Sequence, residues 1–386
     1  MHHRFAPFTD SIGPSIRCSA DCNGMNTFSP DFMHSVCVKI PVLSLSVFLL
    51  VSISLCTSAT CQPLLPVIIN ELCGFIDTAG SVSIAPQYLE ADRFSEGFAF
   101  VKKGEKLSNG TYDIQEVGFT DRAGDFRKVR GFDKIGSFKE GLARVRHPGV
   151  GAVSNTKWGY IDTNGRISIK PLFDGAADFS EGLACVEHLR MFLWVVISDS
   201  FGYVDHAGRL VIPYQFDQAG DFSEGLANIA LAGKKGFIDH TGKMIIQPRF
   251  ESVRPFSSGL AAVEVEGKWG FINTTGTMVV PPAYDDTRSF HDGLAPVKSS
   301  GHWGFIDSAG KIIIREEYSA VSSFSEGLAP VCLDDKWGYI DRNGTLVISP
   351  QFDYASGFDH QRAMVVIGDK RGYIDPHGKY VWYPSN

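Results

Sequence analysis

Runs of like charge are missing from this sequence, and no basic stretch of useful length occurs. Its 386 residues hold 36 Lys and Arg against 43 Asp and Glu, a net charge of -7. Nucleic-acid binding needs clustered cations for the phosphates, so that class of partner is excluded. Metal-type spacing is missing as well. The 11 His show none. Of the 8 Cys, Cys18, Cys22, Cys37 and Cys56 lie in or before an N-terminal apolar segment, and Cys61, Cys73, Cys185 and Cys332 are scattered without shared spacing. That pattern offers neither a disulfide framework nor a metal site, and the later cysteines read as small buried hydrophobes. A distinct catalytic constellation is also lacking. The expectation is no enzyme, no cofactor and no metal.

Uncharged apolar runs are scarce, with one clear exception. Ile40–Cys56 carries no charge, Lys39 precedes it, and Thr57-Ser58-Ala59 follows. A positive start, an apolar core and small residues at a cleavage site describe an export signal. The run is short for a spanning helix, which needs about 20 apolar residues. Residues 33–59 therefore read as a signal peptide or an uncleaved N-terminal anchor, with Met33 as its start. Residues 1–32 read as an untranslated or disordered extension. Export to the periplasm, the cell surface or the medium is the expectation, with membrane contact only through an uncleaved segment.

Glycine and phenylalanine are abundant, at 40 and 28 residues. Both belong to a repeat. Lys336–Gly344 (KWGYIDRNG) returns as Lys157–Gly165, Lys268–Gly276 and His302–Gly310, and more weakly from Cys73, Val117, Phe201, Lys235 and Arg371. The first glycines are Gly74, Gly118, Gly159, Gly202, Gly236, Gly270, Gly304, Gly338 and Gly372. From Gly202 onward the step is 34 residues, and the three earlier steps are 44, 41 and 43. A fixed period in this range signals stacked supersecondary units.

Each unit reads as three short strands: one like Gly293–Val297, the WG strand, and a β-branched run such as Lys311–Ile314. The sequence Asp341-Arg342-Asn343-Gly344 suits a tight hairpin. Asp accepts a backbone N–H two residues on, and Gly takes the positive φ that follows. Trp337 and Tyr339 face one side and Gly338 and Ile340 the other, so both faces should be covered. A bare glycine in a strand suggests close backbone approach, here expected from the neighbouring unit. Trp158, Gly159, Trp269, Gly270, Trp303, Gly304, Trp337 and Gly338 are thus structural positions. The Asp of each turn reads as a turn cap rather than a calcium ligand. The recurring Glu (Glu96, Glu140, Glu181, Glu224, Glu326) reads as a strand-start or an inter-unit hydrogen-bond device, since catalysis needs one distinct site.

Units begin at about Gln62 and end with a third strand at Lys379–Trp382, leaving no strand over. Propellers commonly close by splitting a blade between the chain ends. The absence of a split favours an all-β tandem array of nine three-stranded antiparallel units over residues 62–386, open and curved like a solenoid. A closed, propeller-like ring is the alternative.

The early units are longer at one address, the hairpin between the first strand and the WG strand. Val101 to Gly118 takes 17 residues, Val145 to Gly159 takes 14 and Val186 to Gly202 takes 16, where later units take seven. Insertions on one edge of an array often bind. Tyr112, His147, Phe192 and Trp194 are the candidate binding residues. The run Met191–Ile197 (MFLWVVI) reads equally as a sticky patch or as a strand prolonging the hairpin, because periodicity does not separate these in a short apolar run.

The Lys-Trp-Gly-Tyr-Ile-Asp motif, with Phe-Ser-Glu-Gly-Leu-Ala at Phe179–Ala184, Phe222–Ala227 and Phe324–Ala329, resembles the WG repeat of bacterial proteins. The likeness runs from about Gln62 to the C-terminus. It departs at Cys73, Val117, Phe201, Lys235 and Arg371 for Trp, at Asn273 for Asp, and at Ser258 for Glu. It implies a β-rich repeat without a defined activity. The functional expectation is a non-catalytic exported scaffold that binds a partner protein through its edge loops. The alternative is carbohydrate or cell-wall binding through exposed Trp and Tyr.

Overall fold

The fold comes from a computed structural model, which describes residues 63–107, 111–149, 156–192 and 195–385. The extension 1–32, the segment 33–59 and Trp194 lie outside the described residues. Every regular element described is a β-strand, gathered into nine small antiparallel sheets, one per repeat. Units are numbered 1 to 9 by their WG glycines, from Gly74 to Gly372.

Unit 8 shows the plan. The first strand (Leu328–Leu333) pairs with the WG strand (Lys336–Asp341), which pairs with the third strand (Leu346–Phe352). A fourth, leading strand of two residues, Ala320–Val321, is drawn from the connector and joins the first strand. Seven sheets have a leading strand, while units 1 and 6 show three strands among the described residues. Gly338, Tyr339 and Ile340 are all buried, so both faces of the WG strand are covered.

The WG glycine does not meet the neighbouring unit. In the ladder Trp337 faces Phe352 and Tyr339 faces Ile348, so three residues of the third strand stand opposite Gly338 alone. The third strand bulges over that glycine. A Cβ there would lie 2.5 Å from the Ile348 carbonyl oxygen and 2.7 Å from the Pro350 nitrogen. The bare face thus accommodates the unit's own backbone, which corrects the inter-unit reading. Pro350 fits because its nitrogen, facing Cα of a glycine, has no ladder bond to lose.

The glycine that faces a neighbour is the one in the hairpin turn. Gly344 (φ +83°) would place a Cβ 3.4 Å from Ile314 of unit 7, and Gly310 and Gly378 face Val280 and Ile348 likewise. In unit 1 the equivalent Gly80 faces Val381 of unit 9. The last unit therefore precedes the first.

The hydrophobic core repeats the result. It falls into nine clusters, each spanning two units. Units 7 and 8, for example, share Phe305, Tyr318, Phe324 and Val331. Nine units in an open array have eight interfaces. The ninth cluster joins Leu65, Val67 and Ile76 of unit 1 to Tyr373 of unit 9. Polar contacts follow the same wrap. Tyr160, Tyr203 and Tyr339 each donate a hydroxyl to a carbonyl of the next unit, at 2.7 to 2.8 Å. Tyr373 donates to the Pro66 carbonyl at 2.9 Å, and Arg362 Nε donates to the Thr78 carbonyl at 2.7 Å. The closed propeller-like ring, not the open array, is the architecture. Among the described residues each sheet is built of consecutive strands, and whole-unit faces meet at the seam.

Candidate functional site

Two features distinguish units within the ring: the enlarged hairpins of units 2 to 4, and a chain of acidic caps that links successive turns. The tight turn before the first strand, Glu-Gly in units 2 to 5 and 8, needs positive φ at both residues, for instance Glu326 at +53° and Gly327 at +82°. A left-handed Glu is uncommon, since Asn, Asp and Gly are the residues that tolerate this region. The side chain supplies the compensation. Glu96 accepts the backbone N–H of Glu140 at 2.7 Å and of Gly141 at 2.8 Å. Glu224 does the same for Ser258 and Gly259, and Glu326 for Gln361. Each carboxylate thus caps the turn of the next unit, the inter-unit one of the two roles open to the repeated Glu. His206 and His240 add to it, lying 3.1 Å and 3.4 Å from Glu140 and Glu181 while stacked on Phe179 and Phe222.

The hairpin-turn Asp is likewise occupied by its own loop. Asp341 Oδ1 accepts N–H groups of Asn343 and Thr345, both at 2.9 Å. The bond from the Thr345 amide holds its carboxyl below the usual range.

The insertions of units 2 and 4 are paired ribbons, while residues 150–155 of the unit 3 insertion lie outside the described ones. In unit 2 the ladder continues from Lys103–Glu116 to Lys106–Tyr112, with a bulge between. In unit 4 it continues past His188–Ser200 to Phe192–Val195. The unit 4 backbone therefore takes the hairpin-prolonging form at Met191–Phe192 and again from Val195. The side chain of Phe192 lies outside the described ones, as does Trp194. Tyr112 sits near the tip of the unit 2 ribbon, 48% exposed. His147 sits at the root of the unit 3 hairpin, opposite Lys157, exposed and edge-on to Phe132 at 6.1 Å. The candidates belong to three neighbouring units and do not form one constellation. Two apolar residues the sequence reading passed over, Leu107 and Ile114, join Tyr112 on the exposed part of the unit 2 ribbon, at 46% and 50%. The alternation Tyr112-x-Ile114 is the signal that marks them.

The Trp rings do not form a row open to solvent. Trp303 is buried and Trp158, Trp269 and Trp337 are half-buried. Guanidiniums of Arg144, Arg254 and Arg288 lie over Trp158, Trp269 and Trp303, with centroid distances of 5.6, 5.2 and 5.7 Å.

Units 3 to 5 also hold two carboxylates with one guanidinium. Arg144 Nε lies 3.0 Å from Asp178 Oδ1. Burial raises the Asp178 carboxyl against the pull of Arg144. Burial, then the Asp178 charge, raises Asp221, although solvent still reaches it. A carboxyl raised in the fold costs stability once ionised. The cost is absent below the unfolded value near 3.8 and complete above the folded one. Asp221→Asn is therefore expected to raise the melting temperature at pH 7 and leave it unchanged near pH 3.5. Melts of both proteins across that range check it, and a difference independent of pH would refute the assignment.

A ring of nine small antiparallel sheets, closed face to face, places this molecule among propeller-like β-proteins. The family model described as "WG containing repeat" matches residues 74–106, 131–147, 158–188, 201–234, 236–269, 269–301, 303–337 and 337–370. These cover more than half of the chain, which belongs to that family. No curated protein matches the sequence. Among solved structures it is similar to a crystal structure of the eukaryotic initiation factor, at 11% identity and TM-score 0.57, covering 84% of this chain and 96% of that one. That likeness shows a shared fold alone. The dihydro-heme d1 dehydrogenase NirN in complex with DHE matches at 13% identity and TM-score 0.44, over 75% of this chain and 73% of that one. Apo AztD from Citrobacter koseri matches at 12% identity and TM-score 0.39, over 75% and 95%.

Proposed function

We propose that this chain is an exported, non-catalytic ring that binds a partner protein through the ribbons of units 2 and 4. The observation that supports this reading most is the unit 2 ribbon, a paired hairpin carrying exposed Leu107, Tyr112 and Ile114 away from the repeating body. Aromatic and aliphatic side chains held on a rigid element are suited to anchor a protein interface. A preformed ribbon also loses little entropy on binding. The repeated carboxylates do not favour an enzyme, since turn backbone takes them up. Sugar stacking needs exposed rings, so the covered Trp residues favour the protein-partner reading. Export rests on Lys39 and the uncharged run Ile40–Cys56, and N-terminal sequencing of the secreted protein tests it.

The ribbon test replaces residues 189–199 by a two-residue turn like Glu266-Gly267 of unit 6, because His188 pairs with Ser200 as Val265 pairs with Lys268, and separately makes Tyr112→Ala with Ile114→Ser. A partner recovered by cross-linking is then titrated directly. Affinity is expected to fall by about tenfold or more, the scale of an anchor residue at about 1.4 kcal/mol or above. Melting should stay close to the parent's. Unchanged affinity in both variants rejects the ribbon surface.

A further inference from the structure

The seam between units 9 and 1 encloses space. A cavity of about 460 Å³ opens there, within the size range of small-molecule sites. Two departures from the repeat line it. Units 3, 6, 7 and 8 place Trp before the WG glycine. At the seam that position is Cys73 in unit 1 and Arg371 in unit 9, and both line the cavity. A thiol in place of an indole leaves volume unfilled, and the arginine brings charge into it.

The rest of the lining is divided by chemistry. Val67 and Tyr373 are buried, and Met364 and Trp382 are half-buried, so the walls are largely apolar. Arg93, from the connector between units 1 and 2, supplies a second cation. Arg93 and Arg371 both act on the Tyr373 hydroxyl, opposing the upward push of burial on its pKa. Arg93, Arg371 and Tyr373 thus line one cavity, and it carries two guanidiniums. Arg93 has only a long ion pair, 3.9 Å to Asp359. Arg371 has no ion-pair partner among the described residues. Asp92 and Asp369 also line the cavity and are exposed. The charges acting on Asp92 are Glu90 and Lys102, not the two arginines.

We propose that the seam cavity binds a small organic carboxylate with an apolar body, its carboxylate on Arg93 and Arg371 and its body against Val67, Met364 and Trp382. Guanidinium takes carboxylate through paired, charge-assisted N–H bonds, which an amide cannot reproduce. Such a ligand touches both ends of the repeat array, so occupancy stabilises the closed ring by mass action.

Phenylacetate and its neutral isostere phenylacetamide are the probes, titrated into the full ring by ligand-observed NMR. Phenylacetate is expected to bind saturably with a Kd of about 1 mM or tighter. The amide and the Arg371→Gln variant should each bind about tenfold weaker, as for loss of a charge-assisted pair. Cys73→Trp installs the ring that other units carry and should abolish binding. Arg371 is exposed, so its variant keeps the test valid if the tryptophan variant fails to fold. Absence of saturable binding, equal binding of the amide, or undiminished binding by Arg371→Gln overturns the proposal.

Discussion

Gly338→Ala is expected to destabilise the ring by about 3 kcal/mol, the upper end for overpacking a tight site. The added Cβ would lie 2.5 Å from the Ile348 carbonyl oxygen and 2.7 Å from the Pro350 nitrogen, both backbone atoms that no rotamer change can move away. The third strand would have to lift off, and with it Ile348, on which Gly378 of unit 9 packs. The control is Gly327→Ala in the same unit. Gly327 has φ +82° and open space around it. Its cost is only that of a left-handed alanine, about 1 kcal/mol. Urea unfolding of both variants measures the difference. Equal, small costs would mean that the bulge over Gly338 is not a fixed part of the unit.

The same glycine shows what a sequence can and cannot convey here. The period, the Asp-capped hairpin and the covered WG strand are written in each repeat, because each depends on residues a few positions apart. The glycine announces a close backbone approach but not whose backbone arrives. That depends on a two-residue surplus in the third strand, hidden in a Pro-containing stretch that reads only as a strand end. The Glu was legible as a strand-start or inter-unit device because it recurs with the unit. The ribbons were legible as extra length at one address. Their paired form was not, since an apolar run such as Met191–Ile197 suits a strand or a patch alike. Closure was the least legible. It depends on a small rotation summed over nine interfaces, which no single repeat records. The unsplit ends pointed the other way because whole-unit faces meet at the seam as at the other interfaces, though with a thinner core, with Leu65 and Val67 presented to Tyr373.

That equivalence can be measured at the seam. Tyr373 is 4% exposed, in the cluster that joins the last unit to the first, and its hydroxyl meets the Pro66 carbonyl at 2.9 Å. Tyr373→Ala removes a buried aromatic ring and a buried hydrogen bond, for an expected cost of about 4 kcal/mol. Tyr339→Ala, at the ordinary interface between units 8 and 9, should cost a similar amount, since its ring packs in the same way and its hydroxyl meets the Ser356 carbonyl at 2.8 Å. In an open array Tyr373 would face solvent on a terminal unit and its loss would cost well under 1 kcal/mol, as surface changes do. Among the described residues the seam has the smallest cluster of the nine, with four buried residues against six to ten elsewhere. It is therefore where the ring should open first. Amide exchange in the Tyr373→Ala variant should accelerate in Leu65–Ile69 and Lys370–Ile374 before it does in units 4 to 6, because local opening follows the thinnest packing. Uniform acceleration around the ring would instead place the weakest contact elsewhere.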